Sequence, residues 1–274
     1  MRLPRVRVAI VGHVEWVEFA RVPHLPAVGE IVHVSESWDE PAGGGGVASV
    51  QLARLAGGAD FYTALGNDEI GRRAAAELSD LGVRLHVAWR DEPQRRAFVH
   101  VDDAGERTIT VIGDRIVPRG DDALPWGELS AVDGVYFTGG DEAALRLARA
   151  ARVLTSTPRT LETLRTAGVE LDALIGSGRD PGERYEPGEI EPPPKLVVRT
   201  LGADGGIAEP GGPFPAPPPP GPLVDAYGAG DSFAAGLTYG LAAGWPTSEA
   251  LALAARCGAA ATTGRGAFAG QLEL

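Results

Sequence analysis

The chain has one cysteine, Cys257, and one lysine, Lys195, among its 274 residues. A lone cysteine forms no internal disulfide and builds no cysteine zinc site. That poverty points to the cytosol. With Lys195 as the only lysine, a phosphate loop of the G-x-x-x-x-G-K-[ST] type is excluded. No apolar run approaches the roughly 20 residues of a membrane helix. The opening MRLPRVRVAIVGH is too short in its apolar part for a signal peptide and reads as a buried first strand. Histidines 13, 24, 33, 86 and 100 show no zinc spacing. Positive charge is scarce: 25 Lys and Arg stand against 37 Asp and Glu, a net charge of −12. Such a chain repels phosphate backbones, so neither nucleic acid nor a membrane is an expected partner. A local basic pocket for a small anion stays open.

What is present suffices for a large core. Hydrophobic residues make up 44% of the chain, and the length suits one large α/β domain or two small ones. Residues 6–12, VRVAIVG, read as a central parallel strand. The glycine cluster 43–46 precedes VASVQLARLAGG, where Ala48, Leu52 and Leu55 share a helical face and Gly57-Gly58 ends the helix. ADFYTALG reads as the next strand. GRRAAAELSDLGV repeats the helical spacing through Ala74, Leu78 and Leu81, closed by Gly82.

Residues 95–112 alternate differently. Ala97, Val99 and Val101 share one face, a turn follows at Asp103-Ala104-Gly105, and TITVI returns as an antiparallel strand. Segment 15–37 is also extended, broken by Pro23 and Pro26. The two segments are expected to pair as a small sheet standing off the main body. Strand and helix then alternate again through GVYFTG, EAALRLARAA, ARVLTST, LDALIGS and KLVVRTLG. This predicts an α/β fold, a mainly parallel sheet with helices on both faces. The stiff FPAPPPPGP at 214–222 reads as a spacer rather than a recognition ligand.

The spacer leads into VDAYGAGDSFAAGL, residues 224–237. Gly228, Ala229 and Gly230 leave the backbone bare just before Asp231. A helix starting there offers free N–H groups and a positive dipole end, a nest for phosphate or for charge developing in phosphoryl transfer. The turn ADGG at 203–206, after the strand KLVVRTLG, is a second bare turn of the kind that binds ligands beyond strand ends. Asp231 then has two readings: a helix cap, or a base that takes the proton of a substrate hydroxyl. As a base it is expected to be held ionised by the helix dipole. Ser232 of the G-D-S triplet prompts a hydrolase reading, but no histidine follows His100.

These residues together resemble a known family. DAYGAGDSFAAGL resembles the D-T-x-G-A-G-D signature of ribokinase-like (PfkB) carbohydrate kinases. GGGGVASVQLARLAGGADFYTALGNDEIG, 43–71, resembles their N-terminal signature. VVRTLGADGG resembles their nucleotide-side strand and turn, and PHLPAVGEIV, 23–32, the segment leading into a lid. The resemblance covers nearly the whole chain in order. It implies a three-layer α/β/α ribokinase-like fold in a single domain, 1–274, with a β-sheet lid from about 15–37 and 95–112. It implies ATP, Mg2+ and a small hydroxyl compound as acceptor, a sugar, nucleoside or related alcohol.

The resemblance also implies roles. Asp231 would be the base, and Gly228, Ala229 and Gly230 the anion hole, with Asp225 structuring the loop. Thr200, Gly202 and Gly205 would lie along the nucleotide. TGRGA, with Gly264 and Gly266, would border the adenine beside a monovalent-cation site such as one for K+. Gly43, Gly44 and Gly45 would meet the acceptor, and lid pairing would make a homodimer. The chain departs from the pattern at Ala48, Val17 and Ala226, where the family has Asn, Asp and Thr. Glu15, on the face of Val17, is the replacement for the missing acid. Asp180 takes the place of the glutamate that holds Mg2+ through water. Because the departures remove hydrogen-bonding groups for sugar hydroxyls, a silent nucleotide- or metabolite-binding protein on this fold is the alternative. His13, Arg95, Arg96 and Arg179 are further residues placed to meet ligand, each also readable as an ordinary packed or solvated group.

Overall fold

Alternation at β1 (Val8–His13) sets the layers. In the computed structural model, which describes residues 6–103, 105 and 107–274, every residue of β1 is buried. Val8 and Ile10 join one apolar core, Ala9 and Val11 another. A strand whose neighbours point to opposite faces and are both buried needs cover on both sides.

The chain runs β2 (Glu15–Arg21), β3 (Glu36–Ala42), α1 (Gly43–Ala56), β4 (Ala59–Gly66), α2 (Glu69–Asp80) and β5 (Val83–Arg90). It continues as β6 (Arg96–Val101), β7 (Arg107–Ile112), β8 (Gly134–Phe137), α3 (Glu142–Ala148), β9 (Val153–Ser156), α4 (Leu161–Ala167) and β10 (Ala173–Ser177). It finishes with β11 (Val197–Thr200), β12 (Gly206–Glu209), β13 (Gly212–Phe214), α5 (Ala229–Ala242) and α6 (Thr247–Ala261). The main sheet has nine strands in the order β13-β12-β11-β10-β9-β8-β1-β4-β5. From β11 to β5 all pairs are parallel; only β12 and β13 are antiparallel. One core holds α1, α5 and α6 residues such as Leu52, Leu237 and Leu253; the other holds Leu145 of α3 and Leu164 of α4. The fold is a three-layer α/β/α body.

A second sheet has four strands in the order β3-β2-β6-β7. Its two halves join by parallel pairing of β2 with β6, Val17 opposite Ala97. The period-two burial of β6 places Ala97, Val99 and Val101 inward, whereas β7 is exposed along its whole length. β3 extends this sheet to Ala42, past residue 37. Its sequence, ESWDEPA, lacks the apolar alternation that marks a strand. Of the turn expected between β6 and β7, Ala104 lies outside the described residues, as do residues 1–5 of the opening stretch.

The β12–β13 hairpin was not expected from sequence either; its strands are four and three residues long. The proline-rich segment after it adopts no regular structure and, with α6, walls a cavity of about 500 Å³. Gly57, φ 72°, ends α1 as its sequence predicts. The glycine cluster, however, does not precede α1 but begins it. A Cβ on Gly45 would sit 2.5 Å from the carbonyl oxygen of His13, so only glycine lets α1 dock on the end of β1.

Candidate active site

α1 and α5 begin side by side at the end of β1. Gly228, φ 73°, turns the chain into α5, and the space of its missing Cβ lies 2.8 Å from Val47 Cγ1 of α1. Asp225 fixes the turn: Oδ1 accepts the Tyr227 N–H at 2.8 Å and Oδ2 the Gly266 N–H at 3.1 Å. The Tyr227 hydroxyl in turn accepts the Gly43 N–H at 3.3 Å, tying the two helix starts together. Among the described residues the N–H groups of Gly230 and Asp231 find no main-chain acceptor, and beyond the adjoining residues and the helix's own backbone nothing stands within 4 Å of where a Gly230 Cβ would be. The turn is an open cradle of donors at a helix N-terminus, suited to an anion.

Asp231 lies in the first turn of α5, half-buried. It does not cap the helix: Gly228 is the N-cap, with no side-chain capping bond. The carboxylate accepts no hydrogen bond among the described residues. Its pKa is pushed up to about 7, first by burial and then by the charge of Glu183, with Arg107 and Arg159 opposing. This corrects the expectation that the helix dipole holds the group firmly ionised; desolvation outweighs the dipole. A carboxylate with a pKa near neutrality is matched to taking a proton from a hydroxyl.

The glycine cluster and the end of β1 face this carboxylate. A Cβ on Gly44 would lie 3.1 Å from Asp231 Oδ1 and 3.8 Å from His13 Cε1. Gly43 abuts Glu15, whose Cγ would lie 3.1 Å from a Cβ there. Glu15 Oε1 accepts the Arg95 Nε–H at 2.6 Å and lies 3.8 Å from His13 Nε2. His13 is 6% exposed, and its Nδ1 has no hydrogen-bond partner among the described residues. Its pKa falls to about 3, through burial and then the charges of Arg115 and Arg95. Val17 and Ala48 are wholly buried in the apolar core, so the departures from the family pattern replace polar groups with packing.

The residues expected along a nucleotide are spread over two elements. Thr200 ends β11, its Oγ1 donating to Gly176 O at 3.4 Å. Gly202, φ 62°, and Gly205, φ 83°, flank the following turn. Gly205 is demanded by packing: a Cβ would lie 2.1 Å from Phe214 O of β13. Gly264 is packed on Gly270, and Gly266 on Glu40 and Trp38, so these two lie behind the Asp225 loop. Asp180 is occupied twice, by the Gly182 N–H at 2.8 Å and by Arg159. Glu183, passed over in the sequence, is the carboxylate whose charge acts most on Asp231. It accepts Arg159 Nε–H at 3.0 Å and Ser177 N–H at 2.6 Å. Its only sequence signal was an acid shortly after a strand end.

The remaining candidates resolve as structure. Ser232 is wholly buried, with Oγ 3.4 Å from Gln271 Nε2, which leaves no nucleophile for a hydrolase. Arg179 pairs with Asp204 and Arg96 with Glu18.

The family model described as "pfkB family carbohydrate kinase" matches residues 6–176 and 183–273. An ATP-dependent ribose-1-phosphate kinase of Halopiger xanaduensis is 30% identical over 95% of this chain and 93% of its own. A fructokinase of Salmonella typhimurium is 30% identical over 83% of this chain and 87% of its own. The fold matches the crystal structure of ribokinase from Cryptococcus neoformans var. grubii in complex with ADP, with TM-score 0.74, 22% identity and 96% of each chain covered. The chain therefore belongs to the pfkB family of carbohydrate kinases, phosphotransferases that take a hydroxyl group as acceptor.

Proposed function

We propose that the chain moves the γ-phosphoryl group of ATP to a hydroxyl of a sugar or sugar-like molecule, with Asp231 as base and residues 228–230 as anion hole. The carrying observation is the unpartnered Asp231 carboxylate in the first turn of α5, close against Gly44 of the glycine cluster. Asp231 takes the acceptor's hydroxyl proton as that oxygen bonds to the γ-phosphorus and the bond to the β-phosphate oxygen breaks, leaving ADP. The N–H groups of Gly230 and Asp231 meet the charge that develops on the phosphoryl oxygens. Gly43 to Gly45, with Glu15 and His13, border the acceptor. Thr200, Gly202 and the cavity between the proline-rich segment and α6 offer the nucleotide its place.

No three carboxylates or histidines converge as a metal site among the described residues. That fits Mg2+ held mainly by phosphate oxygens and water, with Glu183, and Asp180 beside it, reaching it through water; when bound it neutralises phosphate charge. A monovalent cation such as K+ beside residues 263–267 belongs to the same reading. A silent binder has no use for an unpaired half-buried carboxylate, which costs stability. Replacing Asp231 with Asn tests the assignment. Turnover should fall by about 10²- to 10⁴-fold while ATP still binds; full turnover on a confirmed acceptor sinks it.

The reading extends to assembly and location. β7 is a free edge strand with Ile109, Val111 and Ile112 exposed, and such an edge invites a second copy. A homodimer through the small sheets follows, and a dimer mass by light scattering tests it. No helix among the described residues is long and apolar enough to cross a membrane; ATP dependence and the single cysteine suit the cytoplasm.

A further inference from the structure

The chain as a whole is acidic, yet arginines gather at the acceptor end of the site. Arg95 donates to Glu15 at 2.6 Å and, through Nη1, to Gly113 O at 3.3 Å. Gly113 opens a segment that passes over the end of β1. Val117 of that segment lies 3.1 Å from the space of a Gly139 Cβ, and His13 Nδ1 lies 3.4 Å from the same point. Arg90 holds the Val117 carbonyl at 3.4 Å. Arg115 is thus fixed between two anchored points beside His13. Its charge acts on His13, Arg95, Glu15 and Arg159, yet no ion pair or hydrogen bond engages it among the described residues.

Arg115 is exposed as a residue, but burial is the first cause lowering its guanidinium's pKa, followed by the charge of Arg95. Two guanidiniums and one carboxylate, with His13 neutral, leave one surplus positive charge there. His13 Nδ1, buried and unpartnered, faces the same region. Neighbouring like charges are disfavoured unless a ligand brings the opposite charge.

We infer that the acceptor carries an oxyanion, a carboxylate or a phosphate, at the end remote from the accepted hydroxyl, and that Arg115 together with Arg95 holds it. This deepens the kinase reading and rests on it. Arg96, paired with Glu18 at 3.5 Å, takes no part.

The test uses three matched compounds: a neutral sugar, the corresponding sugar acid and the corresponding sugar phosphate. Calorimetry gives Kd for each, and kcat/KM is measured with ATP and Mg2+. Wild type, Arg115→Gln and Arg96→Gln are compared. An anionic compound should bind wild type at least about 10-fold more tightly than the neutral one. Arg115→Gln should weaken anion binding by about 10- to 100-fold, the range of a lost charge-assisted hydrogen bond, and Arg96→Gln should not. Whichever anion binds more tightly identifies the source of the charge. Neutral sugar binding as tightly as both anions, or an unchanged anion Kd in Arg115→Gln, overturns the inference. So does a raised KM for ATP with acceptor binding intact, which would assign the guanidinium to the nucleotide. Arg115-dependent anion binding without product leaves the inference standing and defeats the kinase reading. Product from neutral sugars alone does the reverse.

Discussion

Asp231 Oδ1 lies 3.1 Å from the position that a Cβ on Gly44 would occupy. The carboxylate therefore has room only because residue 44 has no side chain. Gly44→Ala would push Asp231 aside by a few tenths of an ångström. Alanine also favours the helix by about 0.5–1 kcal/mol. The expected outcome is a protein of unchanged or raised Tm whose kcat falls at least about 10-fold, since misplacement of a reacting group is costly. Unimpaired turnover would show that the acceptor does not depend on this spacing.

The Asp231 pKa of about 7 gives two pH signatures of known sign. As a base it acts deprotonated, so kcat/KM should climb with pH to a plateau, with its midpoint near that value. For stability, the folded state binds the proton more tightly than the unfolded chain. Between pH 4 and 7 the protein therefore loses stability as pH rises, and the full penalty holds above that window. Asp231→Asn removes it. Thermal unfolding should show the variant's Tm equal to wild type near pH 4 and above it at pH 8; a Tm difference constant across that range contradicts the assignment.

Glu183 and Asp180 make a discriminating pair. Glu183 acts strongly on Asp231, whereas Asp180 is taken up by Arg159 and the Gly182 N–H. Glu183→Gln should raise the Mg2+ concentration needed for half-maximal turnover several-fold more than Asp180→Asn does. Titration of activity with Mg2+ decides; a larger shift from Asp180→Asn restores the sequence-based reading.

Gly205 was expected to serve the nucleotide, but β13 claims the space a side chain would need. Gly205→Ala combines φ 83° with a Cβ 2.1 Å from Phe214 O. It should cost at least about 2 kcal/mol, beyond the usual range of surface substitutions. Denaturant unfolding measures this; a stable variant with only a raised KM for ATP would assign the residue to binding alone.

The parallel body was legible because its strands, VRVAIVG and ADFYTALG among them, alternate with helical spacing and are closed by glycines. Asp231 and its glycines were legible because sequence neighbours stay neighbours at a helix start. β3 was not, since ESWDEPA has no apolar period. The short β12–β13 hairpin carried too little pattern to stand out beside a glycine turn. The Asp231 pKa was misjudged because burial depends on what the fold brings around the group, while the helix dipole is visible locally. Glu183 and Arg115 were missed for a related reason: each lies in an irregular segment that only tertiary structure brings to the end of β1 or to Asp231.

One junction has mechanical meaning. Val14 alone separates β1 from β2, and β3 passes into α1 with no residue between them. The small sheet is thus welded at both seams to the floor of the site rather than slung on tethers. A tilt of that sheet acts as a lever on His13 and Glu15 at one seam and on the glycine cluster at the other. An acceptor pressed against the small sheet would shift the ground beneath its own hydroxyl, so that engagement of the substrate and alignment of Asp231 become a single displacement.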